Sequence, residues 1–194
     1  MEKKYGVYIC KGCGIGESID IEKLAKVAKK GPIKEENIKV HDVLCSPEGL
    51  QLIKGDTKKE GINTILIAAC SPRLHEPTFR AMVQRAGLNP YLLEISNIRE
   101  HCSWVHDDGE TATAKAKDLV HMAIERARLL VAQETMTVPV RQTALVVGGG
   151  IAGIQASLDM ADAGYQVYLV EKEPSIGGMM AKIDKTFPTM DCSI

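Results

Sequence analysis

A glycine-rich motif in the second half of this 194-residue chain constrains its fold more than any other feature. The run Ala144-Leu-Val-Val-Gly-Gly-Gly-Ile-Ala-Gly153 places Gly148, Gly150 and Gly153 in G-x-G-x-x-G spacing. An apolar, strand-like segment precedes the motif and a helical pattern follows it over residues 154–163. In this context the motif predicts a βαβ unit that binds a dinucleotide, whereas an isolated G-x-G-x-x-G would be a weak signal.

The three glycines have different roles in such a unit. Gly148 permits a tight turn, Gly150 lets backbone N–H groups approach a pyrophosphate, and Gly153 allows the helix to pack closely on the strand. The pyrophosphate would then rest on the helix N-terminus, where Ile151 and Ala152 supply unpaired N–H groups. The alternative is a glycine-rich turn in an ordinary parallel sheet that binds no cofactor.

An acidic residue follows the second predicted strand of this unit. Glu171 comes directly after the apolar run 167–170, at the position where a carboxylate accepts hydrogen bonds from ribose hydroxyls. A carboxylate there disfavours a 2′-phosphate, so NADP is the poorer candidate. The continuation Glu171-Lys172-Glu-Pro-Ser-Ile-Gly177-Gly178-Met179 resembles the flavoprotein version of the motif, in which a glycine pair lies near the flavin. That resemblance implies FAD in preference to NAD.

Composition excludes several classes of protein. The net charge is −1 and the chain has one Trp, so neither a basic surface nor an aromatic stacking platform for nucleic acid is expected. No apolar run approaches the roughly 20 residues that a membrane-spanning helix needs. The first residues, Met1-Glu-Lys-Lys-Tyr5, lead into a short strand pattern without a secretory signal. We therefore expect a cytoplasmic protein.

The first 110 residues alternate strand-like and helix-like segments. Strands are predicted at residues 5–9, 38–44, 64–69 and 91–95, with helices at 21–29, 47–53 and 75–86. A longer helix is predicted over 111–133, and a proline-containing segment then forms a linker. This rhythm predicts an α/β fold: a parallel-sheet N-terminal domain over 1–140, followed over 141–194 by an incomplete Rossmann-like βαβ unit that binds FAD or NAD(P).

Five of the six cysteines lie shortly after the predicted strands. Cys10, Cys45 and Cys70 follow the first, second and third predicted strands, and Cys102 lies in the loop after the fourth. Cys13 forms a C-x-x-C pair with Cys10, a spacing more typical of metal ligands than of disulfides in a reducing compartment. Because the carboxyl ends of parallel strands share one edge, we expect four of these five thiols to converge on one site.

The spacing of the cysteines does not by itself determine which metal would bind at that site. Thiolates suit both iron–sulfur clusters and zinc. A 4Fe-4S cluster is favoured, because a flavin on the next domain gives a one-electron carrier something to exchange electrons with. The alternative is that residues such as Cys45 and Cys70 are small buried side chains at strand ends. Cys192 is a candidate ligand of a second site.

Histidines near these cysteines have two interpretations. His75 and Glu76 follow Cys70 and could shield a cluster, but the Ser-Pro sequence before them favours an ordinary helix start. His101 and His106 flank Cys102 and are interpreted as surface residues. No Ser-His-Asp or paired-carboxylate pattern stands out, so hydrolytic chemistry is not expected and no catalytic side chain is assigned.

Several longer segments of the chain carry a family resemblance. The segments are Ala68-Ala-Cys-Ser-Pro-Arg-Leu-His-Glu76, Ala86-Gly-Leu-Asn-Pro-Tyr91, Asn97-Ile-Arg-Glu100, Ser103-Trp-Val-His106, Lys115-Ala-Lys-Asp-Leu119 and Asp184-Lys-Thr-Phe-Pro-Thr-Met-Asp-Cys192. Together they resemble the N-terminal third of the A-subunits of heterodisulfide reductase. The resemblance implies a cluster-binding domain followed by a thioredoxin-reductase-like FAD domain. It implies electron transfer and flavin-based electron bifurcation in an anaerobic complex. The implied partners are other heterodisulfide-reductase-like subunits, a hydrogenase or formate dehydrogenase module, and ferredoxin.

The resemblance also bears on individual residues. It places the glycines, Glu171 and Lys172 on the FAD motif, and the first five cysteines in the N-terminal cluster region. One departure is that two residues separate Cys10 from Cys13, where many relatives have a tighter pair, so which of the two is a ligand stays open. The family pattern continues after Asp191-Cys-Ser-Ile194 with another cysteine. We hypothesise a selenocysteine codon there, the alternatives being a cloned fragment or a split gene.

Two other functions remain open at this point. The first is a non-catalytic scaffold whose cysteines hold zinc or a structural cluster. The second is an NAD-dependent oxidoreductase that uses the Gly148–Gly153 motif for the pyridine nucleotide. Bound flavin and reduction by dithionite distinguish the FAD hypothesis from the scaffold, and reduction by NADH identifies the NAD enzyme.

Overall fold

The computed structural model describes residues 3–29 and 33–193. The chain divides into two compact units, one extending to Thr135 and the other beginning at Met136. Between the last helix of the first unit and the first strand of the second, residues 130–142 form no regular secondary structure.

A four-stranded parallel sheet forms the centre of the first unit. The strands are β1 (Tyr5–Cys10), β2 (Ile38–His41), β3 (Thr64–Ala69) and β4 (Leu93–Asn97), in the spatial order β2-β1-β3-β4. All three neighbouring pairs are parallel. Every residue of β3 is buried, which is the continuous apolar pattern of a central parallel strand covered on both faces. The predicted α/β class is confirmed.

Over residues 3–29 and 33–135, five α-helices accompany this sheet. They are α1 (Ile15–Ser18), α2 (Ile21–Ala28), α3 (Pro47–Lys59), α4 (Pro72–Arg85) and α5 (Gly109–Leu129). A 3-10 turn (Glu35–Asn37) precedes β2, and a π-helical segment (Arg99–Ser103) follows β4. The four longer helices each begin after a residue whose side chain caps a first-turn amide. Those residues are Asp20, Ser46, Ser71 and Asp108.

The core of the first unit lies between the sheet and these helices. Tyr8, Ile9 and Ile67 from the central strands are fully buried, and Phe79 of α4 packs with them. The face of α5 that packs on β3, β4 and α2 carries mainly small residues. Its buried residues are Ala112, Thr113, Ala116, Val120, Ala123, Ile124 and Ala127. Small side chains allow the long helix to approach the sheet closely. The helices and the sheet thus form packed layers around one hydrophobic core.

The second unit is a single βαβ element with a short continuation. Strand β5 (Thr143–Val147), helix α6 (Ile151–Asp162) and strand β6 (Gln166–Val170) are followed by a 3-10 turn (Met180–Lys182). The strands pair in parallel from Thr143 with Gln166 to Val147 with Val170. Alternate apolar residues of both strands remain exposed, Val147 by 77%. The predicted Rossmann-like βαβ unit is therefore confirmed as an element with an uncovered sheet face.

Several element boundaries differ from those predicted. Strand β2 ends at His41 instead of residue 44, because the chain turns at Val43, whose carbonyl accepts a hydrogen bond from Ser46, and sends Leu44 into the core. Strand β4 starts at Leu93 instead of Tyr91, because the side chain of Asn89 accepts the Tyr91 N–H and holds a turn there.

Three helix ends also differ from prediction. Helix α3 continues to Lys59, beyond the predicted residue 53, and α4 begins at Pro72 rather than residue 75. Helix α5 ends at Leu129, before the predicted residue 133, because Leu130 adopts an extended backbone. Within residues 3–29 and 33–193, the helices are all too short or too polar to cross a membrane.

Candidate functional site

The glycine loop between β5 and α6 has the geometry that its sequence predicts. Gly148 has a φ of 107°, a backbone conformation that side-chain-bearing residues rarely adopt. A Cβ atom on Gly153 would lie 1.8 Å from the carbonyl oxygen of Gly148, so the helix can pack on the loop only with glycine at this position. The roles predicted for Gly148 and Gly153 therefore match the close approach of loop and helix.

The N-terminus of α6 is open above this loop. Gly150 occupies the N-cap position, and in the described part of the chain no side chain caps the helix. A Cβ atom on Gly150 would meet nothing within 4 Å, so the absence of a side chain leaves free space next to the first-turn N–H groups. Ile151 and Ala152 in that turn are exposed. An uncapped helix N-terminus with this space fits an anionic pyrophosphate.

The carboxylate of Glu171 lies against the glycine loop. Its Oε2 accepts a hydrogen bond from the Gly149 N–H at 2.6 Å, and its Oε1 accepts from Lys172 N at 2.7 Å and Glu173 N at 3.0 Å. The backbone hydrogen bonds from Glu173, Gly149 and Lys172 lower the pKa of the Glu171 carboxyl, so the group stays ionised. A fixed anion at the loop would repel a phosphate and suits hydroxyl donors such as those of a ribose.

A second glycine pair packs against the first loop. Gly177 and Gly178 have φ values of 113° and 56°. The Gly177 N–H donates to the carbonyl oxygen of Gly149 at 2.7 Å, and a Cβ on Gly178 would lie 3.0 Å from the Cα of Gly150. Met179 and Lys172 beside them are exposed. The two motifs that the sequence separates by more than twenty residues thus form one continuous glycine surface.

The first unit carries its thiols at the carboxyl edge of the sheet. Cys10 is the last residue of β1 and Cys70 follows β3 directly, while Cys13 lies in the turn after β1 and Cys45 directly precedes the cap of α3. Cys10 is buried, Cys45 and Cys70 are half-buried, and Cys13 is exposed. These four residues therefore all lie close to the ends of β1 and β3 or to the start of α3, and their convergence on one metal site stays a prediction.

Electrostatic coupling links the same four thiols. Burial raises the pKa of Cys45, and the neighbouring Cys10 and, to a smaller extent, Cys13 raise it further. Burial raises the pKa of Cys70 to about 11, against a lowering by Arg99, and Cys45 adds a smaller rise. Cys45 is thus coupled to Cys10 and Cys13, and Cys70 is coupled to Cys45. A positively charged metal centre would stabilise the thiolates of Cys45 and Cys70.

The two remaining cysteines lie elsewhere. Cys102 belongs to the π-helical segment, and its side chain is fully buried in the hydrophobic core. Burial raises the pKa of Cys102, and the charge of Lys115 lowers it in part. Cys192 is exposed in the second unit and forms an isolated backbone bridge with Lys185. The loop position predicted for Cys102 is wrong, because the backbone after β4 coils inward and takes this thiol into the core.

The spacing of the thiols bears on the kind of metal centre. Among the residues that the structure describes, no three His, Cys, Asp or Glu side chains are grouped to hold a metal ion. A single zinc ion with Zn–S bonds of about 2.3 Å needs its sulfur ligands within roughly 4 Å of one another. A 4Fe-4S cluster takes one thiolate on each of four irons and so spaces its ligands more widely. Cys10, Cys13, Cys45 and Cys70 are all free cysteines, and together they offer the one thiolate per iron that such a cluster needs.

A charged pair that the sequence analysis did not single out lies beside Cys70. The Arg99 guanidinium contacts the Glu100 carboxylate, with Nη2 to Oε1 at 2.9 Å, and stacks 4.5 Å from the centre of the Trp104 ring. The other Glu100 oxygen accepts the Ser71 N–H at 2.8 Å. Burial lowers the pKa of Arg99, but Glu100 and the thiolates of Cys70 and Cys13 raise it by more. The only sequence signal is the Asn97-Ile-Arg-Glu100 segment, whose spacing indicates no role for either charge.

The histidine and glutamate after Cys70 have structural partners within α4. His75 packs edge-on against Phe79, and Glu76 forms an ion pair with Arg80. The helix begins at Pro72 after the Ser71 cap. The prediction that this stretch starts a helix is confirmed.

Comparisons with known proteins show which proteins this chain is similar to. A family model for FAD dependent oxidoreductases matches residues 144–186. The chain is 55% identical over 197 residues to the second CoB–CoM heterodisulfide reductase iron-sulfur A-subunit of Methanopyrus kandleri, covering 100% of this chain and 30% of that protein. It is 54% identical over 198 residues to the A-subunit of the H(2):CoB-CoM heterodisulfide,ferredoxin reductase of Methanothermobacter marburgensis, again with 100% of this chain and 29% of that protein.

A more distant relative matches in the same way. The A-subunit of the ferredoxin:CoB-CoM heterodisulfide reductase of Methanosarcina mazei is 46% identical over 195 residues, covering 98% of this chain and 24% of that protein. The chain therefore spans roughly a quarter to 30% of the length of these relatives.

Proposed function

This chain belongs to the family of heterodisulfide reductase A-subunits, and on that premise we propose that it is the FAD-binding and cluster-binding part of an electron-transferring oxidoreductase. The observation that carries the proposal is the hydrogen bond from Gly177 to Gly149, which joins both glycine motifs beside the open N-terminus of α6. A glycine turn without a cofactor would need neither the second pair nor the uncapped helix.

The residues of this chain that would hold FAD belong to the second unit. The loop Gly148–Gly153, with the amides of Ile151 and Ala152, would bind the pyrophosphate, and Glu171 would accept hydrogen bonds from the ribose. Gly177, Gly178 and Met179 would face the flavin side of the cofactor, with Lys172 at its edge. Bound FAD supplies the exchange between two-electron and one-electron transfer. The exposed apolar residues of β5 and β6 indicate that further protein covers this sheet.

One 4Fe-4S cluster would be held by Cys10, Cys13, Cys45 and Cys70. Their shared sheet edge and their electrostatic coupling support this set. Cys102 is left out of this set, because the charge that acts on its pKa is that of Lys115 and not that of another cysteine. Cys192 is proposed as a ligand of a separate site in the second unit. Clusters supply one-electron transfer, and the protein sets their potential through burial, charge and hydrogen bonds.

The partners proposed for the whole protein follow from the relatives. Their names include H(2), ferredoxin and the CoB–CoM heterodisulfide as reactants. We propose that this chain works in a comparable complex with other heterodisulfide-reductase-like subunits, ferredoxin and a hydrogenase or formate dehydrogenase module, and that flavin-based bifurcation is its activity. Direct reduction of a disulfide by this polypeptide is not expected.

The first test is an anaerobic spectrum of the full-length protein. We expect resolved flavin bands together with broad iron–sulfur absorbance, both decreasing on addition of dithionite, and FAD in the acid-released fraction. Absence of flavin with retained metal would support a non-catalytic scaffold and overturn the proposal. Reduction by NADH with no tightly bound flavin would instead identify a nicotinamide enzyme.

A matched pair of variants tests the nucleotide site. Glu171→Gln removes the charge that accepts ribose hydrogen bonds, and such bonds contribute about 1.5–3 kcal/mol, so the Kd for FAD should rise roughly 10-fold to 150-fold. Asp162→Asn changes an exposed carboxylate at the C-terminal end of α6, away from the glycine loop, and should leave the Kd unaltered. Equal affinities for wild type and E171Q, measured by flavin fluorescence, would contradict the ribose role.

A further inference from the structure

The residues before and after Cys70 are both hydrogen-bonded to the segment that follows β4. The N–H of Ile98 donates to the carbonyl oxygen of Ala69 at 2.8 Å, and the N–H of Ser71 donates to the Glu100 carboxylate at 2.8 Å. Residues on either side of the cysteine are therefore tied to the same short stretch of chain. Any charge carried by that stretch is held at a defined place relative to the Cys70 sulfur.

The positive charge on the segment after β4 belongs to the Arg99 guanidinium. Arg99 is fixed by Glu100, which accepts from both Nε and Nη2, and by the Trp104 ring. The Arg99 side chain is 13% exposed and the Glu100 side chain 23%. Trp104 is itself 63% exposed, so it covers the guanidinium from the solvent side. A cation with so little access to water is weakly screened and acts strongly on neighbouring charges.

The guanidinium acts on the thiols more strongly than its partner carboxylate does. Arg99 lowers the pKa of Cys70 by more than Glu100 raises it. Arg99 also acts on Cys45 and interacts with Cys13. The contacts of Glu100 with Ser71 and with Arg99 hold this guanidinium beside the Cys70 loop. Lys11, next to Cys10, is paired with Asp42 at 2.9 Å and is half exposed, so solvent screens its charge.

We propose that Arg99 is a positioning residue whose fixed positive charge faces the cysteine site and raises the reduction potential of the cluster bound there. Reduction adds one electron to the cluster, and the added negative charge is stabilised by a nearby cation. Glu100 has two effects: it orients Arg99 and ties down the Cys70 loop, and its own negative charge partly offsets the guanidinium. The inference rests on the proposed function, because it requires a cluster on these cysteines.

The test is an anaerobic redox titration of the full-length protein, with dithionite as reductant and the cluster followed by electron paramagnetic resonance. Arg99→Gln should make the midpoint more negative, so that the ratio of reduced to oxidised cluster at a fixed potential falls about tenfold, equivalent to about 59 mV for a one-electron couple. Arg99→Lys keeps the charge and should restore most of this shift. A purely structural role of Arg99 would not be rescued in this way.

A matched control and an opposite-sign variant complete the design. Arg80 has the same surroundings, an ion pair with Glu76 and a stacking contact with Tyr91 at 4.8 Å, on the helix that follows Cys70. Arg80→Gln should leave the midpoint unchanged. Glu100→Gln can still accept the Ser71 N–H but removes a negative charge, so it should shift the cluster midpoint to a less negative value. This variant tests the charge effect independently if R99Q fails to fold.

The outcomes are distinguishable. Wild-type protein without a cluster overturns the proposed function and this inference with it. A wild-type cluster whose midpoint is the same in R99Q overturns the inference alone. Shifts of the same sign in R99Q and E100Q overturn it as well, because they indicate a general loss of structure rather than a charge effect.

Discussion

Gly177 donates its backbone N–H to the carbonyl oxygen of Gly149 at 2.7 Å, across 28 residues of sequence. The bond closes the segment after β6 onto the loop before α6, at the point where Glu171 also binds the Gly149 N–H. Both polar backbone groups of Gly149 are therefore used to build the loop. The first turn of α6, which no described side chain caps and beside which Gly150 leaves open space, remains for a ligand.

Gly153→Ala should abolish FAD binding. The added Cβ would lie 1.8 Å from the Gly148 carbonyl oxygen, so either the loop or α6 must move away from the cofactor position. Acid-released flavin in the purified full-length variant measures the effect. Gly55→Ala is the control: this glycine lies inside α3 with open space around it, so the variant should keep its FAD and gain about 0.5–1 kcal/mol in the free energy of unfolding. Normal flavin content in G153A would contradict the assigned role.

Serine substitution of any one of Cys10, Cys13, Cys45 and Cys70 should remove or destabilise the N-terminal cluster. Cys102→Ala should retain it, at a modest cost in stability from the small cavity left in the core. Iron and acid-labile sulfide per chain, together with far-UV circular dichroism as a check on folding, distinguish the two groups. Loss of the cluster in a folded C102A protein would contradict this assignment and indicate that Cys102 is a ligand.

In metal-free protein, the alkylation rate of Cys70 should depend steeply on pH. Burial raises the pKa of its thiol to about 11, so the reactive thiolate increases about tenfold per pH unit across the neutral and mildly alkaline range. Because the folded-state pKa lies above that of the unfolded chain, this group's contribution to stability is present below the unfolded pKa. It is lost as the pH rises toward about 11. Mass spectrometry of iodoacetamide-treated peptides gives the profile, and a plateau near neutral pH would contradict it.

Leu44→Ala should destabilise the first unit by about 2–5 kcal/mol, because the side chain is fully buried beside the cysteine edge. Val43→Ala, one residue earlier, removes a side chain that is 38% exposed and should cost well under half as much. Denaturant unfolding of the metal-free protein compares them. Similar losses for both variants would mean that residues 43–44 do not turn as the structure has them.

Local signals in the sequence determined most of the secondary structure of this protein. The buried run Thr64–Ala69 was predicted with its observed bounds, and the Ser-Pro pairs at residues 46–47 and 71–72 mark the starts of α3 and α4. The βαβ unit could be predicted for the same reason. Its glycines, helix and strands lie within about thirty consecutive residues, and each depends on backbone conformation or apolar periodicity that neighbouring residues define.

Only the tertiary structure decided which groups meet. Four cysteines stay at the sheet edge while Cys102 enters the core, because the chain after β4 coils into a π-helical segment that no local pattern marks. The contact of Arg99 and Glu100 with the Cys70 loop, and that of Gly177 with Gly149, join residues about 30 positions apart. Such contacts depend on strand order, register and packing, and these are set by burial summed over the whole domain rather than by any short stretch of sequence.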